Sequence, residues 1–82
     1  MPVTESMVQN AISSSVVGLT RHVMRKFGMP ADEAYRLVYD SELFKLLSDP
    51  ATRLFLETNE ELCGYYDVER TVGKPALYAA IV

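Results

Sequence analysis

Cys63 and His22 are each the sole residue of their type in the chain. A thiol nucleophile needs a base beside it, and His22 is the candidate. Cys63 follows the core-type residue Leu62, while His22 falls on the face of the first helix opposite its apolar stripe. The sequence therefore favours a small, buried or half-buried cysteine over a catalytic pair. Five acids, Glu57, Glu60, Glu61, Asp67 and Glu69, crowd one segment. Paired carboxylates hold metals or move protons. Here several sit at a helix start, where the helix dipole favours negative charge. The chain has no calcium-loop spacing, no glycine-rich phosphate loop and no nucleophile elbow. No catalytic residue, metal ligand or cofactor is expected.

Arg21, His22, Arg25 and Lys26 form a basic group at the end of the first helix. They spread over about 140° away from its apolar stripe, as a solvated face does. Cations favour a helix C-terminus by about 0.3–1 kcal/mol each, which explains the group without a ligand. An anion or nucleic-acid contact is the alternative. Tyr35, Tyr39, Tyr65, Tyr66 and Tyr78 carry apolar bodies with polar tips, suited to a core rim or an interface. Of these, Tyr65, Tyr66 and Tyr78 are the ones expected at an interface. Met7, Ala11, Ser14 and Gly18 make a second stripe on the first helix, and Val17 and Met24 lie together on a third flank. Small or apolar residues on several flanks imply burial on more than one side, against the chain's own helices or a second protomer.

Those residues need helices to position them. Val8, Ile12, Val16, Leu19, Val23 and Phe27 recur at helical spacing in a stripe about 100° wide, predicting a helix from about Thr4 to Phe27. Thr4 suits its N-cap and Gly28 the position past its end. The run Ser13-Ser14-Ser15-Val16-Val17-Gly18 weakens this helix, but the stripe continues in phase through it. A second helix starts at Pro30 as its first residue, buries Ala34, Leu37 and Val38, and pairs Asp32 with Arg36. A third, capped by Ser41 or Asp40, presents Leu43, Leu46 and Leu47. Asp49 caps the segment that begins at Pro50, and residues 50–57 stay open between helical turn and extended chain. Thr58 and Glu61 have capping-box spacing, which predicts a helix from Asn59 to about Arg70. Gly73 and Pro75 end it. The apolar tail, residues 76–82, packs on the bundle or on a partner chain.

Composition narrows the rest. The 82 residues make one domain, with residues 1–5 as an extension and 71–82 as the tail. A chain of this size buries only about 60–65% of its unfolded surface, so self-association is a natural aid. A hydrophobic fraction of 49% with 23% charged residues is a folding composition. The net charge is -3 and the pI about 5.0, which lowers the prospect of nucleic-acid binding. One cysteine allows no internal disulfide. No stretch reaches the roughly 20 apolar residues of a membrane span. Residues 7–19 do not form a signal-peptide core, so cytoplasm is the expected location.

Three runs carry a resemblance. They are Asp32-Glu33-Ala34-Tyr35, Asp40-Ser41-Glu42-Leu43-Phe44-Lys45-Leu46-Leu47 and Asp49-Pro50-Ala51-Thr52-Arg53-Leu54-Phe55. An acidic helix start with alanine, a Ser-x-Leu-aromatic-x-x-Leu helix and an Asp-x-x-Thr-x-Leu-aromatic turn resemble one group of small bacterial proteins of unassigned function. Such proteins tend to be encoded near toxin-like or other accessory genes. The resemblance covers about residues 6–70 and implies a helical fold and a bacterial source. It implies no site residues and leans toward an interaction role.

The sequence thus predicts an all-α bundle of about four helices with a long N-terminal helix. Its expected role is a small non-enzymatic interaction or regulatory protein, a homodimer that also meets a partner protein. The alternative is a helical nucleic-acid-binding module using Arg21, Arg25 and Lys26.

Overall fold

A computed structural model describes residues 4–81. Five α-helices and two short 3-10 turns make up the described residues, with no strand. Helix α1 spans Glu5–Phe27, α2 Ala31–Tyr39, α3 Glu42–Ser48, α4 Asn59–Thr71 and α5 Lys74–Ile81. The principal extents are 40 × 27 × 19 Å, and α1 supplies the long dimension. The expected all-α bundle with a long first helix is what forms, with one more helix than the sequence indicated.

Helix α1 survives its serine–valine–glycine patch because its stripe meets the core throughout. Val8, Ile12, Val16, Leu19 and Val23 are all buried. Thr4 Oγ1 accepts from the Met7 N–H at 3.2 Å, filling an otherwise orphan donor of the first turn. Glu5 belongs to the helix rather than to an extension; residues 1–3 of that extension and Val82 lie outside the described residues. Phe27 belongs to the core stripe by its spacing but is half exposed, with the Arg70 guanidinium 5.9 Å above its ring. Gly28 ends the helix at φ 63, in the left-handed region that glycine reaches without steric cost.

Pro30 is the N-cap of α2, one position before its predicted place. Ala34 and Val38 face the core, and Leu37 packs at its edge. Asp32 and Arg36 form no ion pair among the described residues. Ser41 caps α3 by accepting from the Phe44 N–H, and Leu43 and Leu47 are fully buried. Residues 50–57 resolve into 3-10 turns at Pro50–Thr52 and Leu54–Leu56. Asp49 caps the first, and Thr52 Oγ1 donates to the Leu46 carbonyl at 2.6 Å. Leu54 is buried, so these turns carry one core side chain into place.

Thr58 caps α4 through the Glu61 N–H. The reciprocal arm of the capping box is absent from the bonds of the described residues; the Glu61 carboxyl lies against Glu57 instead, and this contact raises its pKa. Gly73, at φ 124, breaks the chain direction after α4. Pro75 then sits in the first turn of α5, where its missing N–H costs nothing. The tail expected beyond Pro75 is therefore a helix. Leu77 is its fully buried anchor and α4 its neighbour.

Candidate functional site: two flanks of the first helix

Helix α1 is packed on one side by α2 and on the other by α4. The residues singled out from the sequence divide between these flanks.

On the α4 flank, His22 Nε2 and Asp67 Oδ1 are 2.8 Å apart, and Lys26 Nζ lies 2.8 Å from Asp67 Oδ2. Half of the expected solvated basic group is therefore tied to α4. A helical wheel places His22 and Lys26 away from any packing surface, because it counts only apolar neighbours. Burial opposes ionisation of Asp67, but hydrogen bonds from Lys26 and His22, with their charges, outweigh it and hold its pKa below the ordinary value. Arg21 and Arg25 make no ion pair among the described residues.

Gly18 lies under Asn59, the first residue of α4. A Cβ at Gly18 would come within 2.7 Å of Asn59 Nδ2. Its small size thus serves the chain's own α4 rather than a second protomer. An open cleft of about 510 Å³ runs beside this contact, lined by Arg21, His22, Arg25, Asn59, Glu60, Cys63, Gly64 and Asp67 along with Gly18. Cys63 and His22 share this cleft but are not hydrogen-bonded; His22 is engaged by Asp67. Burial pushes the Cys63 thiol up, Asp67 adds to this, and Arg25 opposes it. A protonated thiol without a base is a poor nucleophile. No group of three or more potential metal ligands converges among the described residues.

The α2 flank is different in kind. Val17 is 52% exposed, Tyr35 48% and Tyr39 53%. Tyr35 and Tyr39 have ring centroids 5.7 Å apart, and Tyr39 stacks on Phe44 at 4.5 Å. Two adjoining hollows of about 410 and 240 Å³ share Val16, Val17 and Tyr35. Met24 closes one end of this groove, and Ser13, Gln9 and Ser48 rim the other. Arg21 is its one charged lining residue among those described.

The residues expected at an interface do not form one surface. Val17 and Met24 line the groove. Met7 and Ser14 are exposed and Ala11 half-buried, but none of them lines it. Tyr65 packs half-buried against the core. Tyr66 is 2% exposed. Its assignment to an interface is therefore wrong, because the ring fills the core between the helices. Tyr78 donates to Glu42 Oε1 at 2.6 Å, tying α5 to α3. That bond, and then Lys45 and Lys74, lower the pKa of Glu42 against the effect of burial.

Sequence reasoning misses two further features. It does not assign Tyr35, Tyr39 and Phe44 to an interface, although the i, i+4 tyrosines mark one side of α2. It places Glu69 only within an acidic segment, not as a cap. The Glu69 carboxylate accepts from the N–H groups of Glu42 at 2.9 Å and Leu43 at 2.8 Å, capping α3 from another helix. No local pattern announces a cap supplied from 26 residues away.

No family model, curated protein or solved structure matches the chain. No helix among the described residues is long and apolar enough to cross a membrane.

Proposed function

We propose that this chain is a small interaction protein without catalytic chemistry, pairing with a second copy of itself through the α1–α2 groove. The carrying observation is the continuous apolar strip of Val17, Met24, Tyr35, Tyr39 and Phe44, left open by the chain's own helices. Contiguous exposed apolar surface with a polar rim is the mark of a contact surface. Aromatic rings with few rotamers suit it, because little side-chain entropy is lost on contact.

A second copy is favoured as occupant by charge. Arg21 is the groove's one charged lining residue among those described, so a two-fold contact adds no like charges beyond Arg21 and its copy. A strongly charged partner would find no complement there. The chain's small size, with its limited core, supplies a reason to cover that surface. A cytoplasmic, bacterial setting and the resemblance of residues 6–70 belong to the same proposal, and the unpaired thiol of Cys63 fits a reducing compartment.

The nucleic-acid alternative loses ground on one observation: Asp67 engages both His22 and Lys26. The test is light scattering across concentration, with Val17→Glu as the disrupting variant. A dimer that Val17→Glu converts to monomer is the expected result. A strict monomer at high micromolar protein overturns the reading.

A further inference from the structure

We propose that the cleft between α1 and α4 binds a small amine-bearing phosphate monoester, with its phosphate on Arg21 and Arg25 and its amine on Glu60. The cleft opens on the other flank from the pairing groove and shares only Arg21 and the helix itself with it.

Four observations converge on the cleft. Arg21 and Arg25 stand one helical turn apart on the same flank of α1. Both line the cleft, and neither is neutralised by a carboxylate among the described residues. By contrast, the neighbouring His22 and Lys26 are held by Asp67. Two guanidiniums at this spacing match the charge and the several acceptor oxygens of a phosphate dianion.

The opposite wall explains the selectivity. Glu60 lines the cleft from α4 and has no cationic partner among the described residues. A carboxylate there repels a second anionic group and attracts an ammonium. A polymer of phosphodiesters would run its backbone past Glu60 and Asp67. Each diester also brings one charge where two guanidiniums wait.

Gly64 supplies the third observation. It sits inside α4, where glycine is disfavoured relative to alanine. Gly18 is accounted for by Asn59, but a Cβ at Gly64 would meet nothing within 4 Å. Nothing in the chain's packing requires a glycine there. What it provides is bare helix surface in the cleft, which lets a ligand approach the backbone closely. The fourth is the size of the space, about 510 Å³, within the range of small-molecule sites.

The experiment is a titration of isotope-labelled protein followed by amide shifts. The probes are O-phosphoethanolamine, ethyl phosphate without an amine, and glycerophosphoethanolamine with its phosphate as a diester. Millimolar O-phosphoethanolamine is expected to shift the amides of Asn59, Cys63 and Gly64. Arg25→Gln, at an exposed position that keeps the fold, weakens it about tenfold, the scale of one charge-assisted contact. Glu60→Gln weakens O-phosphoethanolamine but not ethyl phosphate. Gly64→Leu fills the open space and removes binding while the thermal midpoint holds or rises. The proposal is overturned by an absence of shifts at millimolar probe, or by an unchanged response in the Arg21→Gln, Arg25→Gln double variant. Binding of the diester, or of single-stranded DNA, as tightly as the monoester overturns it too.

Discussion

The two flanks of α1 are built from different interactions. Toward α4, above the core that Leu62 and Tyr66 fill, the contacts are polar and specific: Asn59 over Gly18, and Asp67 between His22 and Lys26. Toward α2 the buried contacts of Ala34 and Val38 give way at the surface to Val17, Tyr35 and Tyr39, half in water. Polar contacts require directed partners, and on the α4 flank Asn59 and Asp67 supply them from within the chain, beside a cleft that stays open. Apolar contacts require only coverage, and on the α2 flank the chain leaves part of that surface uncovered. In the proposed reading, that contrast sets the polar pairs that hold α4 to α1 against the apolar strip offered to a second copy.

If the polar side holds the monomer, its loss is expected to cost more than changes on the apolar surface. Glu69→Ala has the largest expected effect. It removes the acceptor of two backbone N–H groups at the start of α3. An orphaned, part-buried donor pair costs about 2 kcal/mol, read by chemical denaturation. Glu69→Gln keeps one acceptor oxygen and recovers part of that loss.

Asp67→Asn comes next, at about 1 kcal/mol, since its side chain is a quarter exposed and solvent weakens the pairing. The sign with pH comes from the lowered folded-state pKa of Asp67. The unfolded chain binds its proton first as pH falls. The stabilisation is present above the ordinary carboxylate value and is lost as pH falls through the folded one, below about pH 4. Asp67→Asn flattens this part of the acid denaturation curve. An unchanged slope in the variant would mean that the clamp does not hold the α4 flank.

The core and the caps are legible in the sequence because they are local. A stripe at +4 and +3 spacing places Val8 to Val23 on one face, and Thr4, Ser41 and Thr58 each cap within three residues. The tail is not, because Gly73 and Pro75 both end one helix and begin another. Only tertiary packing, through Leu77, decides that α5 forms. The 3-10 turns at 50–56 are too short to show a period. At the site, His22 and Asp67 are 45 positions apart and polar, so no apolar pattern links them. The aromatic strip is missed, although the position of its tyrosines carries a signal. Tyr35 and Tyr39 each follow a core residue, Ala34 and Val38, by one position, which turns them about 100° toward the core's edge.

One substitution made at two glycines sharpens the comparison. Alanine in place of glycine within a helix gains up to about 1 kcal/mol. At Gly64 the new methyl meets open space, and the full gain is expected. At Gly18 it must displace Asn59, so gain and loss leave a change within about 0.5 kcal/mol. Thermal unfolding of the two variants measures the difference. Equal gains would show that Asn59 yields freely and that the α4 flank is looser than its geometry.

Val17→Glu has the smallest expected effect on the monomer and the sharpest on assembly. The side chain is already half in water, so the fold changes by no more than about 0.5 kcal/mol. In a pair formed on the α2 flank, the same carboxylate would be buried without a cation from the groove other than Arg21. Even beside Arg21, burying the carboxylate costs the desolvation of both charges, far more than leaving them exposed. The thermal midpoint at low concentration should therefore stay put while the apparent mass at high concentration halves. A fall in the midpoint with no change in mass would reverse the assignment, making Val17 part of what holds the monomer.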